Sequence, residues 1–306
     1  MDDLTYLKDA YLEYCTTQKR LDNKTLKAYG IDLKQFCIFI PSDKAGDINA
    51  AQIESYIANL HKLYKPKTVK RKIASVKAFF HYLEYRDILE KNPFNKMIIK
   101  FWEPVILPKT IPIPIVEVLL GTIYQQFHNA PTDYQRRNAL RDAAVIELLF
   151  STGIRISELC SLSPADVSLS EKTVLIYGKG AKERKIQIGT DAVIAILSEY
   201  LHAYSKEIQA SNSFFVSQSG KPLSDQSIRR MLNKYTYMAA ISQHITPHMF
   251  RHTFATSLLE ADVDIRYIQE MLGHSSINIT QIYTHVAMSK QRDILTTKHP
   301  RKNFKI

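Results

Sequence analysis

The sequence predicts a mainly α protein in two domains, the second carrying one small antiparallel β-sheet, and three observations lead there. Apolar residues recur at spacings of three and four along most of the chain, the signature of amphipathic helices. Only near residues 173–188 do two short runs rich in β-formers flank a glycine-containing turn, the pattern of a hairpin. At 306 residues the chain also exceeds the roughly 100–200 residues usual for one domain, and a proline-dense stretch divides it.

Taken in order, Asp22 and Asn23 supply an N-cap, after which Leu26, Tyr29, Leu33, Phe36 and Ile40 form one apolar face, closed by Pro41 and Ser42. A second helix runs from Asn49 to Leu63. A third follows Pro66 through Val69, Ile73, Val76, Phe79, Phe80 and Leu83, so this region is wholly helical. Asn92-Pro93, Pro104, Pro108, Pro112 and Pro114 then resist regular structure and mark a linker. The expected layout is residues 1–100, a linker over 101–112, a second domain over 113–290 and a tail over 291–306. In the second domain an apolar helix from Leu140 to Ser151 stops at Gly153, which could supply a left-handed C′ position. Thr173–Tyr177 and Arg184–Ile188 form the hairpin, with a basic tip at Gly178-Lys179-Gly180-Ala181-Lys182-Glu183. Helices resume at Asp191, then after the cap Ser224, after Thr246-Pro247, and from Asp264 to Gly273.

Lys and Arg number 41 against 30 Asp and Glu, a net charge of +11, and both residues 1–100 and the remainder carry a basic surplus. Such a balance suits a polyanionic partner, although a basic protein with no nucleic-acid role has the same arithmetic. No apolar run approaches the ~18–20 residues of a membrane span, and the acidic start is unlike a signal peptide, so a cytoplasmic protein is expected. Cys15, Cys37 and Cys160 show no metal-ligand or CxxC spacing and read as buried apolar side chains.

Several segments carry candidate chemistry. Thr246 and Pro247 set His248 in the first turn of a helix, with Arg251 three residues on along the same face, where free backbone N–H groups favour an anion. The same pair also suits a solvated face. Arg155, after the Gly153 break between two apolar helices, would be partly buried and needs an anionic partner. Glu158 three residues on could be that partner, or a bound phosphate could, or Glu158 could orient Arg155 toward the phosphate. Lys179 sits between two glycines, as an exposed turn or as an ammonium free to enter a DNA groove. His274 follows the helix stop at Gly273, and Tyr283 lies nine residues beyond; Gly273 and the following serines allow the two to share a site, though any tyrosine can simply be packing. Lys65, Lys67, Lys70, Arg71, Lys72 and Lys77 form a basic cluster around the third helix, fit either to grip phosphates or to solvate a helix face.

Together TGIRISEL, GKGAKER, TPHMFRHTFATSLL, LGHSS and TQIYTHV resemble the tyrosine recombinase/integrase family in order and spacing. KTLKAYGIDLKQF and VKRKIASVKAFFHYL are similar to its core-binding (SAM-like) domain, and His299-Pro300-Arg301 to the tail of its Xer group. The resemblance spans about residues 5–301 and implies roles at all six catalytic positions: Tyr283 as nucleophile, Arg155 and Arg251 neutralising the phosphate, His248 as base, Lys179 protonating the leaving 5′ oxygen, His274 donating to the phosphate. It further implies no metal or other cofactor, a partner in double-stranded DNA bearing a specific recombination site, and a homotetramer, or one shared with a paired recombinase, exchanging strands through a Holliday junction. In that assembly Val286–Ile306 would reach a neighbouring protomer. Chromosome-dimer resolution and mobile-element integration, excision or resolution both fit. A type IB topoisomerase, a catalytically silent DNA-binding protein and a structural or interaction protein are the rival readings.

Overall fold

The computed structural model describes residues 3–99, 109–178 and 183–273, and the chain divides into two compact units, Met1–Val105 and Ile106–Ile306. Among the described residues no helix is long and apolar enough to cross a membrane.

The first unit holds α1 (Leu4–Thr17), α2 (Asn23–Phe39), α3 (Ala50–Leu63) and α4 (Pro66–Tyr85). Each start has a local cause. Asp3 and Asp22 accept from the backbone N–H of Tyr6 and Thr25, both at 2.9 Å, capping α1 and α2. Asn49 and Gln52 make a reciprocal capping box at α3, and Pro66 occupies the first turn of α4. Helix α1 lies outside the predicted elements, although Leu4, Leu7, Tyr11 and Cys15 bury one face of it. The core gathers Leu33 and Phe36 of α2 with Val69, Phe79, Phe80 and Leu83 of α4, all fully enclosed. Each such side chain contributes roughly 1.5–3 kcal/mol relative to an exposed one.

A polar cluster is enclosed with them. Asp32 of α2 is 0% exposed, and accepts from Lys72 Nζ at 2.9 Å, Ser75 Oγ at 3.0 Å and the Arg71 guanidinium, all on α4. The Lys72 ammonium also reaches Gln35 and lies 4.8 Å from the Tyr64 ring centroid. Lys72 therefore departs from its expected place on a basic surface: it shares the inward face of α4 with Val69 and Val76, three and four residues away. Lys65, Lys67, Lys70, Arg71 and Lys77 are exposed.

The second unit comprises α5 (Ile113–His128), α6 (Asp133–Thr152), α7 (Ile156–Ser161), β1 (Val167–Ser168), β2 (Thr173–Tyr177), β3 (Glu183–Gln187), α8 (Asp191–Ala203), α9 (Ser205–Ser211), α10 (Asp225–Met238), α11 (Pro247–Glu260) and α12 (Ile265–Leu272). Pro112 and Pro114 do not extend irregular structure as expected. They open α5, where a proline costs no hydrogen bond. The sheet order is β1-β2-β3, antiparallel throughout, with Thr173 opposite Gln187 and Tyr177 opposite Glu183; β1 was not among the predicted strands. Ala143 to Ile146, Leu148 and Leu149 make α6 the centre of the core, which α5, α8, α10 and the inward residues of the sheet cover. Cys15 is buried as expected, but Cys37 and Cys160 are only half-buried.

Candidate active site

The site grows from the end of α6. Gly153 stops that helix at φ +60, and a Cβ there would come within 2.6 Å of the Phe254 ring of α11. Only glycine permits both the left-handed turn and the close approach. The chain then re-enters α7 with Arg155 as its N-cap residue. Glu158, one turn into α7, accepts from the Arg155 backbone N–H at 2.8 Å and from its Nη1 at 2.7 Å. Arg155 keeps 34% of its side chain exposed while Glu158 keeps 7%.

From the opposite side, Thr246 and Pro247 begin α11 and set His248 in its first turn. Arg251, 5% exposed, donates from Nη1 to the Gly153 carbonyl at 2.9 Å and from Nη2 to the Leu272 carbonyl at 2.6 Å. One guanidinium thus joins the turn before Arg155 to the C-terminus of α12, where carbonyls and the helix dipole favour a cation. Gly273 follows that terminus at φ +63. Burial pushes the His248 imidazole below its ordinary value, and the positive charges of Arg229, Arg251 and Arg155 push it further against a small opposing effect of Asp225. Near neutral pH this histidine is uncharged and able to accept a proton. Burial, then His248 and Arg251, lower His252 in the same way.

The structure therefore brings together Arg155, His248 and Arg251 of the six residues expected to do chemistry; Lys179, His274 and Tyr283 lie outside the described residues. It adds Arg184 of β3, which pairs with Glu158 through Nη1 at 3.1 Å and Nη2 at 2.6 Å. Burial alone would raise the Glu158 carboxyl, yet the hydrogen bonds from Arg184 and Arg155 outweigh it and hold the group below the usual carboxylate value. Arg184 had one legible signal: it alternates in β3 with exposed neighbours, in register with buried Ile186, so its charge needed an internal anion. An open cleft beside the cluster is lined by Arg155, Glu158, Tyr177, Arg184, Met271 and Gly273.

Comparison with known proteins bears on the family and the fold. The phage integrase family matches residues 118–290, and the N-terminal SAM-like domain of phage integrases matches residues 9–87. The chain belongs to the phage integrase family. It is 66% identical over 304 residues to a tyrosine recombinase of Agathobacter rectalis, covering 99% of each chain. It is 34% identical to tyrosine recombinase XerC of Oceanobacillus iheyensis, again covering 99% of each. Among solved structures, XerH recombinase bound to a palindromic difH substrate, a post-cleavage complex, matches with a TM-score of 0.74 at 21% identity, over 93% of this chain and 83% of that one; this likeness concerns the fold. The expected family and the expected mainly helical fold with a small antiparallel sheet are both borne out. The chain is a tyrosine recombinase, an enzyme that breaks and rejoins DNA in site-specific recombination.

Proposed function

We propose that the recombinase cuts one strand of a duplex at a specific site by attack of the Tyr283 hydroxyl on the scissile phosphorus. The P–O5′ bond breaks as the P–O(Tyr) bond forms, leaving a 3′-phosphotyrosyl link and a free 5′ hydroxyl. His248 takes the tyrosine proton, and Lys179 protonates the departing 5′ oxygen. Arg155 and Arg251 neutralise the charge that develops on the nonbridging oxygens, and His274 donates a further hydrogen bond there. One phosphoester replaces another, so the reverse reaction rejoins the strand without an energy source. The observation that carries this reading is the gathering of Arg155 and Arg251 about His248, whose imidazole burial and their charges hold below its ordinary value.

The partner in this reading is double-stranded DNA, supported by the likeness to XerH recombinase bound to its difH substrate, gripped in part by the exposed cations of α4. Four protomers exchange strands through a Holliday junction, and residues 286–306 reach a neighbour. Relatives named XerC and XerD support an Xer-like role over that of a mobile element's integrase.

A nicked duplex, built from the sequence that the full-length protein selects out of a random pool, tests the chemistry. Wild-type protein should accumulate a covalent adduct; Tyr283→Phe should form none while binding the duplex with unchanged affinity. An undiminished adduct in Tyr283→Phe would remove Tyr283 from the mechanism.

A further inference from the structure

Arg184 is outside the six residues assigned to chemistry, yet it ties together three segments of the site. It leaves β3 with its side chain 10% exposed. Two of its nitrogens fork onto the carboxylate of Glu158 in α7, and its Nε donates to the Met271 carbonyl at the end of α12 at 2.9 Å. Gly273 lies directly against it: a Cβ at that residue would come within 3.0 Å of both Cδ and Nη1 of Arg184. The glycine stop of α12 therefore also makes room for this guanidinium.

Two physical consequences follow for Arg155. A carboxylate held by one arginine alone can rotate with it, whereas a second guanidinium forked onto both oxygens fixes its plane. Glu158 Oε1, which receives Arg155 Nη1, is then a stationary acceptor. The charge balance changes as well. One carboxylate between two guanidinium groups leaves the trio net positive, while Glu158 with Arg155 alone would be neutral and offer a phosphate far less attraction.

We propose that Arg184 is a positioning residue of the strand-cutting site: it locks and neutralises Glu158, so that Arg155 presents a fixed, uncompensated guanidinium to the scissile phosphate, and it holds the end of α12 against the same anchor. The inference rests on the reading of Arg155 as a phosphate ligand.

The test is the single-turnover rate of adduct formation on the nicked duplex described above, with duplex affinity and melting temperature measured beside it. Arg184→Lys keeps a charge but loses the fork and should slow cleavage about tenfold; Arg184→Met loses both and should slow it about a hundredfold, the range over which groups that orient a reacting residue act. Affinity should stay within about twofold, because most phosphate contacts lie elsewhere. The double variant Arg184→Met/Glu158→Gln removes the stranded carboxylate and should recover a large part of the rate lost in Arg184→Met. A wild-type rate in Arg184→Met overturns the proposal, and so does a loss that the double variant fails to recover, which would mark Arg184 as a purely structural support. Arg155→Ala separates the two readings: if that variant cleaves normally, Arg155 is not the phosphate ligand, whatever Arg184 does.

Discussion

Each unit of this recombinase contains one carboxylate held between two basic side chains, and the two clusters behave differently. In the first unit Asp32 and Lys72 are almost completely enclosed, at 0% and 3% side-chain exposure, with Ser75 and Gln35 completing their polar contacts, while Arg71 reaches Asp32 from an exposed position. In the second, Glu158 is comparably buried but Arg155 keeps a third of its side chain exposed toward an open cleft. The ingredients are alike, and Arg71 and Arg155 both reach solvent; the open cleft beside Arg155 distinguishes a site that can take a ligand from a structural tie. The first cluster seals its carboxylate and its lysine in the core and joins α2 to α4. An open one retains a cation that an incoming phosphate can use.

The sharpest way to break this comparison is to strand the closed cluster. Asp32→Ala leaves the Lys72 ammonium buried without its carboxylate and should destabilise the full-length protein by about 3–5 kcal/mol in denaturant unfolding. The double variant Asp32→Leu/Lys72→Met should regain most of that loss, since a packed apolar pair replaces a buried ion pair at little cost. Equal stability of Asp32→Ala and wild type would show that the closed cluster is not a structural tie.

Next in size is the open cluster. Arg155→Ala should lower single-turnover cleavage about 10²–10³-fold, the usual effect of deleting one preorganised donor at a developing charge. Its stability should change by less than about 1 kcal/mol, because the lost pair is partly exposed and Glu158 retains Arg184. A large drop in melting temperature with little kinetic change would reverse the contrast between the two units.

The smallest effect belongs to the exposed cations of α4. Replacing Lys67, Lys70 and Lys77 together by Ala should weaken binding across DNA sequences and flatten the log–log salt dependence by about 0.9 per lost contact, with stability nearly unchanged. Lys72→Met should leave that slope as it is. A slope insensitive to the triple change would relegate this helix face to solvation.

Much of the architecture was legible because it is encoded locally. Spacings of three and four identified α2 and α4, the caps at Asp22 and Ser224 marked helix starts, a helix was read from Asn49, and β-formers around a glycine turn located β2 and β3. The same rule applied to Lys72 would have assigned it inward, since it is three residues from both Val69 and Ser75 on the buried face. The cluster of positive residues drew attention to charge where periodicity was the better guide. Pro112 and Pro114 were misleading for a related reason: a proline breaks a helix interior but opens a helix readily, and composition alone does not distinguish the two.

By itself, then, the sequence determined α2, α3, α4 and the helical turn that carries His248 and Arg251, which depend on residues a few positions apart, together with the β2–β3 hairpin and, from motifs spread along the chain, the family. Tertiary structure alone decided which charges meet. Asp32 finds its partners 39 to 43 residues away, Glu158 receives Arg184 from 26 residues on, and Arg251 grips carbonyls 98 and 21 residues distant. Packing of distant elements sets such partners, and with them whether a charge is sealed into a core or left facing a substrate.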